Sequence, residues 1–160
     1  MATAYIETTI PSYYVARPSS SLLHAAKQTA TRDWWDGNCS GFELFTSLET
    51  LDKAAKGDSE MAADRLNLLQ SIPLLPMPDE AISLAGNLVS AGIVPQKASS
   101  DSIHIAVASV HAIDYLVTWN FKHIANPFLR DRLRSAVEEA GFELPVMCSP
   151  EELLQNDEDD

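Results

Sequence analysis

The chain predicts an α/β fold: a sandwich with a mostly parallel central sheet of about five strands, flanked by helices. Three observations predict it. Short runs of strand length alternate along the chain with longer segments whose apolar residues recur at helical spacing. Serines precede several of the helical segments and glycines follow them, as start and stop signals do. Neither an internal repeat nor an interior linker interrupts the 160 residues, so one core organises them.

The elements follow in order. The first strand is expected around Ala4 to Thr8, with a Pro/Ser turn after it. In "SSSLLHAAKQTATRDWWDG", Leu22, Leu23, Ala26, Ala30 and Trp34 recur at helical spacing, with serines as N-caps and Gly37 as the stop. "GFELFTS" is a short strand-like run. "SLETLDKAAKGD" reads as a helix between an N-cap at Ser47 and a C-cap at Gly57. "SEMAADRLNLLQSI" sets Met61, Leu66, Leu69 and Ile72 largely on one helical face. "PLLPMP" is a short extended piece fenced by prolines.

Two helices come next, one over about Asp79 to Ala91 and one starting near Ser99 with "SSDSIHIAVASVHA". "DYLVTW" is a continuous apolar run of strand length and "NFKHIANP" a loop. "FLRDRLRSAVEEAG" reads as a helix ending on Gly141, and "LPVMCS" as the last strand. Residues 1–154 are assigned to the domain and 155–160 to an acidic, disordered tail. Of the adjacent Trp34 and Trp35, about 100° apart on a helix, one is expected in the core and one at the surface, where it suits an interface.

Composition narrows the function classes. With 46% apolar and 21% charged residues, the chain can close a real core. No run approaches the roughly 20 apolar residues that cross a bilayer. The start has neither a basic stretch nor an apolar signal core. Cys39 and Cys148 stand far apart with no CxxC spacing. A cytoplasmic protein with reduced thiols and no membrane partner is the expectation. The formal net charge of −12 counts against simple polynucleotide binding, which leaves a basic footprint. It suits a divalent-cation site or a basic partner. The absence of GxGxxG, P-loop and nucleophile-elbow patterns removes support for nucleotide-cofactor and serine-hydrolase chemistry.

Ligands of open parallel α/β folds bind outside the carboxyl ends of the strands. Glu7 falls at the end of the first strand, in apolar surroundings that make an unserved charge costly. Asn120 follows the end of "DYLVTW", Asp101 lies in the first turn of the "SSDSIHIAVAS" helix, and Glu49 and Asp52 lie on the helix after Ser47. Acids so placed suit Mg²⁺ or Mn²⁺, which take one or two carboxylates and keep several waters. Taken singly, each has an ordinary reading: Asp101 as a helix-dipole partner, Glu49 and Asp52 as solvated residues, Asn120 as a turn residue.

"YIETTIPSYY", "SSDSIHIAVASVHAIDYLVTWNFKHIAN" and "GFELPVMCSPEEL" together resemble the PIN-domain family, and more closely its VapC-type toxins from bacterial toxin–antitoxin pairs. The similarity runs from about Tyr5 to Leu154. It implies a parallel sheet flanked by helices and a Mg²⁺- or Mn²⁺-dependent endoribonuclease. It further implies an RNA substrate, a cognate antitoxin protein that inserts a cationic segment into the acidic site, and a homodimer. Residue by residue, it places the first family acid on Glu7, where most members have Asp. The helix acid falls on Asp101, and the acid of the loop after the "DYLVTW" strand falls on Asn120, whose carbonyl would have to do the work of a carboxylate. The remaining acid falls on Asp52 or Lys53, of which only Asp52 can hold a metal. The metal set is thus Glu7, Asp52 and Asp101, with Asn120 assisting. The opposing expectation, from Asn120 and Lys53, is an inactive PIN-like module that binds a protein partner.

Four further residues are candidates for substrate contact or support. His104 lies three residues after Asp101 on the same helical face, within reach of a transition-metal site or of the core. His123 in the loop suits a phosphate or a base, or a hydrogen bond that holds the loop. Thr8 and Ser12 suit positioning of Glu7 or contact with phosphate, or simply the turn.

Overall fold

A computed structural model describes residues 1–154; the acidic tail expected at 155–160 lies outside the described residues. The four strands are β1 (Ala2–Ile6), β2 (Phe42–Phe45), β3 (Tyr115–Val117) and β4 (Val146–Cys148). They form one sheet in the order β2-β1-β3-β4. All three pairings are parallel, with Tyr5 opposite Phe45 and Leu116, and Val117 opposite Cys148. The fold is α/β as expected, with four strands rather than about five. The fifth expected strand, "PLLPMP", makes one parallel bridge, Thr46 to Leu74, beyond β2. Pro73, Pro76 and Pro78 explain its brevity, since each removes a backbone donor that a ladder needs.

Among the described residues, seven α-helices pack on the sheet: α1 (Thr9–Val15), α2 (Leu22–Asp33), α3 (Leu48–Ala54), α4 (Ser59–Leu69), α5 (Asp79–Ser90), α6 (Ser99–Val110) and α7 (Arg130–Glu139). Strand alternation divides the core in two. Ala4, Ile6 and Val117 face Ile10 of α1, Ala30 of α2, Ala54 of α3, Leu69 of α4 and Trp34. Tyr5 and Leu116 face Leu84 and Leu88 of α5, Ile105 and Ala108 of α6, and Leu133 and Val137 of α7. With both sheet faces covered, the strands read as continuous apolar runs.

Three local expectations are corrected. β1 ends at Ile6, so Glu7 stands just beyond the strand. The expected Pro/Ser turn is helix α1, whose Pro11 sits in the first turn, where a missing N–H costs nothing. Leu22 and Leu23 are exposed, and α2 buries Gln28, Ala30 and Thr31 instead. Past Asp33 the chain widens into a π-type turn, Trp34–Asn38, that buries Trp34 and leaves Trp35 half-buried. Among the described residues, no helix is long and apolar enough to cross a membrane.

Candidate active site at the carboxyl edge of the sheet

Glu7 leaves the end of β1 in the middle of the sheet and is almost fully buried. Its Oε1 accepts three hydrogen bonds: from the hydroxyl of Thr9, from the Thr9 N–H at 3.1 Å, and from the hydroxyl of Thr118 at 2.7 Å. The other oxygen, Oε2, carries no hydrogen bond among the described residues. Burial raises the pKa of Glu7 above the ordinary carboxylate value, the Thr9 and Thr118 donors pull it back, and the charge of Asp101 raises it further. The two carboxyl groups therefore lie close enough to repel one another.

Asp101 enters from the first turn of α6 and is half-buried. Burial raises its pKa too, while the Asn120 side chain, His123 and Lys53 lower it. Asn120 is fixed by the loop after β3. Its N–H donates to Thr118 Oγ1 at 2.9 Å, its backbone carbonyl accepts from the Ala125 N–H at 2.9 Å, and its Oδ1 accepts from the His123 N–H at 3.0 Å. Its Oδ1 thus holds the loop, while its side chain favours the charged form of Asp101.

The remaining candidates are placed differently. Asp52 is exposed and, with half-buried Glu49, lines an apolar groove of about 380 Å³ that Leu48, Leu74, Met77, Ile103 and Val107 complete. From the same helix, Lys53 is the side chain whose charge reaches Asp101. Among the described residues, no three His, Cys, Asp or Glu side chains converge as a metal site, so Glu7 and Asp101 stand as a pair. His104 is buried, and its Nδ1 lies 2.7 Å from the hydroxyl of Tyr5, which also meets Ser47 Oγ at 2.5 Å. Burial, with a smaller push from Lys53, lowers its pKa to about 3, so its ring is neutral. Ser12 lines a surface groove between α1 and α2. Next to Glu7, the Thr8 hydroxyl is buried without a partner among the described residues.

Sequence reading missed Thr9 and Thr118, the donors that hold Glu7. The signal was present in "ETTIP" and "LVTWN", where a hydroxyl stands two residues past the acid and another closes the neighbouring strand. It also missed that Ser47 turns its hydroxyl to Tyr5 rather than capping α3. The residues present fit a small divalent cation in one respect: two neighbouring carboxyls, one with an unengaged oxygen, form a pair that a cation would relieve of its repulsion. No family model matches the chain, and no curated protein matches it.

Proposed function

We infer that the chain is a PIN-type endoribonuclease that hydrolyses RNA phosphodiester bonds with Mg²⁺ or Mn²⁺, acting as the toxin of a toxin–antitoxin pair. One observation carries this reading. Two carboxyl groups, Glu7 from the end of β1 and Asp101 from the start of α6, are brought together at the carboxyl edge of a parallel sheet with both pKa values raised. That is the edge where such folds bind ligands.

Glu7, through Oε2, and Asp101 would hold the cation. When bound, it supplies Lewis acidity towards a phosphodiester and lowers the pKa of water. The chain's own residues do the positioning. Thr9 and Thr118 fix the carboxyl of Glu7, the Asn120 side chain favours the charged form of Asp101, and His123, near Asp101, is a donor for a phosphate oxygen. The net charge of −12 suits the basic segment of an antitoxin, and a homodimer belongs to the same reading.

A second reading, a PIN-like module that binds a protein partner without catalysis, draws on Lys53. Its charge reaches Asp101 and can take over part of a cation's work there. Chelation separates the two. With EDTA an enzyme loses RNA cleavage and regains it on Mn²⁺ addition, whereas a binding module never cleaves and keeps its partner in the chelator.

A further inference from the structure

A chain of hydrogen bonds leads from Glu7 to a cluster that the acidic pair does not use. The Trp119 N–H donates to Thr9 Oγ1 at 2.8 Å, behind Glu7. The Trp119 indole N–H donates to Thr31 Oγ1 at 2.8 Å, and the Thr31 hydroxyl donates to the Lys27 carbonyl at 2.6 Å. This ties the loop after β3 to α2 and sets the Lys27 side chain among three rings. Its ammonium lies 5.9 Å from the centroid of Tyr13, 5.5 Å from Trp119 and 5.4 Å from Phe121.

The rings themselves are contiguous: Tyr13 to Trp119 at 5.9 Å and Trp119 to Phe121 at 5.9 Å. Trp119 is buried, but Phe121 is 44% exposed at the outer end of the row. Lys27 makes neither a hydrogen bond nor an ion pair through its ammonium among the described residues, so its three donors are free. A groove of about 540 Å³ opens beside it, lined by Leu23, Ala26, Lys27, Trp119 and Phe121. Asp33 and Glu151 line the same groove.

We propose that Lys27 and Phe121 form a nucleotide subsite, with a phosphate of single-stranded RNA on the Lys27 ammonium and a base stacked on the Phe121 ring. The proposal rests on the ribonuclease reading and deepens it. An acidic protein that works on a polyanion needs a local cation to hold it, and here the cation is fixed by π faces rather than neutralised by an acid. A cation beside an aromatic face is how single strands are held without sequence preference. Asn120, whose side chain acts on Asp101, immediately precedes Phe121, so the subsite adjoins the loop that serves the acidic pair.

The test is fluorescence anisotropy of a labelled 12-nucleotide single-stranded RNA of mixed sequence, in EDTA, across a salt series. The proteins are wild type, Lys27→Gln, Phe121→Ala and Arg134→Gln, a cation on α7 outside the cluster. Thermal melts establish that each variant is folded. Phe121→Ala is expected to weaken binding about five- to a hundredfold. Lys27→Gln is expected to lower the salt slope by about 0.7, and Arg134→Gln to leave both unchanged. Wild-type binding that neither variant alters overturns the subsite and leaves the ribonuclease reading standing. Absence of wild-type binding overturns the subsite and, when no RNA is cut with Mn²⁺ either, the ribonuclease reading with it.

Discussion

The hydroxyl of Thr118, the residue that follows β3, donates to Oε1 of Glu7, the residue that follows β1, at 2.7 Å. Adjacent parallel strands thus hold one carboxyl between them at the edge where they end. Thr118 is fully buried, and its oxygen also accepts the Asn120 N–H, so one hydroxyl organises both the acid and the loop. Thr118→Val keeps the shape and removes both bonds. It is expected to cost about 1–3 kcal/mol, the price of leaving buried polar groups unpaired. Urea denaturation at neutral pH measures it; an unchanged midpoint would show that the clasp contributes nothing.

Glu7→Gln is expected to stabilise the fold at neutral pH. A carboxyl whose folded pKa is raised binds its proton more tightly in the folded state, so its contribution is lost as pH rises through that raised value. A neutral isostere escapes the loss, while its carbonyl oxygen still accepts from Thr9 and Thr118. The gain reads as a higher Tm for the variant at neutral pH. Melts of both proteins in EDTA from pH 4.5 to 8 check it, and the two curves should converge towards the acid end. A variant less stable at every pH would contradict the raised pKa.

His104 works in the opposite direction. Burial lowers its pKa to about 3 from an ordinary 6.5. Between those values the unfolded chain takes up a proton that the folded chain refuses, so the contribution is complete above pH 6.5 and erodes as pH falls. The slope approaches about 1.4 kcal/mol per pH unit in mid-window. Glu7 and Asp101 oppose it there, so the informative quantity is the difference between wild type and His104→Gln. Chemical denaturation at pH 7, 6 and 5 should show that difference shrinking with acid, and a pH-independent difference would mean that His104 titrates in the fold as it does in the unfolded chain.

Ala112 holds a left-handed backbone, φ 55°, just past the end of α6. The following N–H of Ile113 reaches back to the Ala108 carbonyl at 3.0 Å. Gly92 and Gly141 do the same work after α5 and α7, at φ 75° and 92°. A side chain there costs about 1–2 kcal/mol, partly offset by the extra unfolded freedom of glycine. Ala112→Gly should therefore raise stability by up to about 1 kcal/mol. A lower Tm would show that the alanine methyl makes a compensating contact.

The elements were legible where one signal dominated. Helices α5, α6 and α7 and strands β2, β3 and β4 carry their periodicity and stops in the sequence. Helix α1 did not, because Pro11 and the β-branched residues of "ETTIP" speak for an extended turn until Pro11 is placed in a first helical turn. Leu22 and Leu23 misled for a different reason: helical spacing shows a face but not which face meets the core, and Gln28 and Thr31 are buried by hydrogen bonds to Arg17 and Lys27 carbonyls. At the site, Glu7, Asp101 and Asn120 were legible as residues at strand ends and a helix start. The orientation of α3, by which the charge of Lys53 reaches Asp101 while Asp52 lines the apolar groove, depends on the packing of a whole helix and has no local signal.

The most direct measurement is cleavage of a mixed single-stranded RNA panel by the purified protein, freed of any co-purified partner, with Mn²⁺, Mg²⁺ or EDTA and with Asp101→Asn alongside. Cutting is expected with either cation, none in EDTA, and a loss of a hundredfold or more in Asp101→Asn, of the order that removing one electrostatic catalytic contact costs. Cutting that persists at full rate in a folded Asp101→Asn, or no cutting by a folded wild type with Mn²⁺, would contradict that expectation.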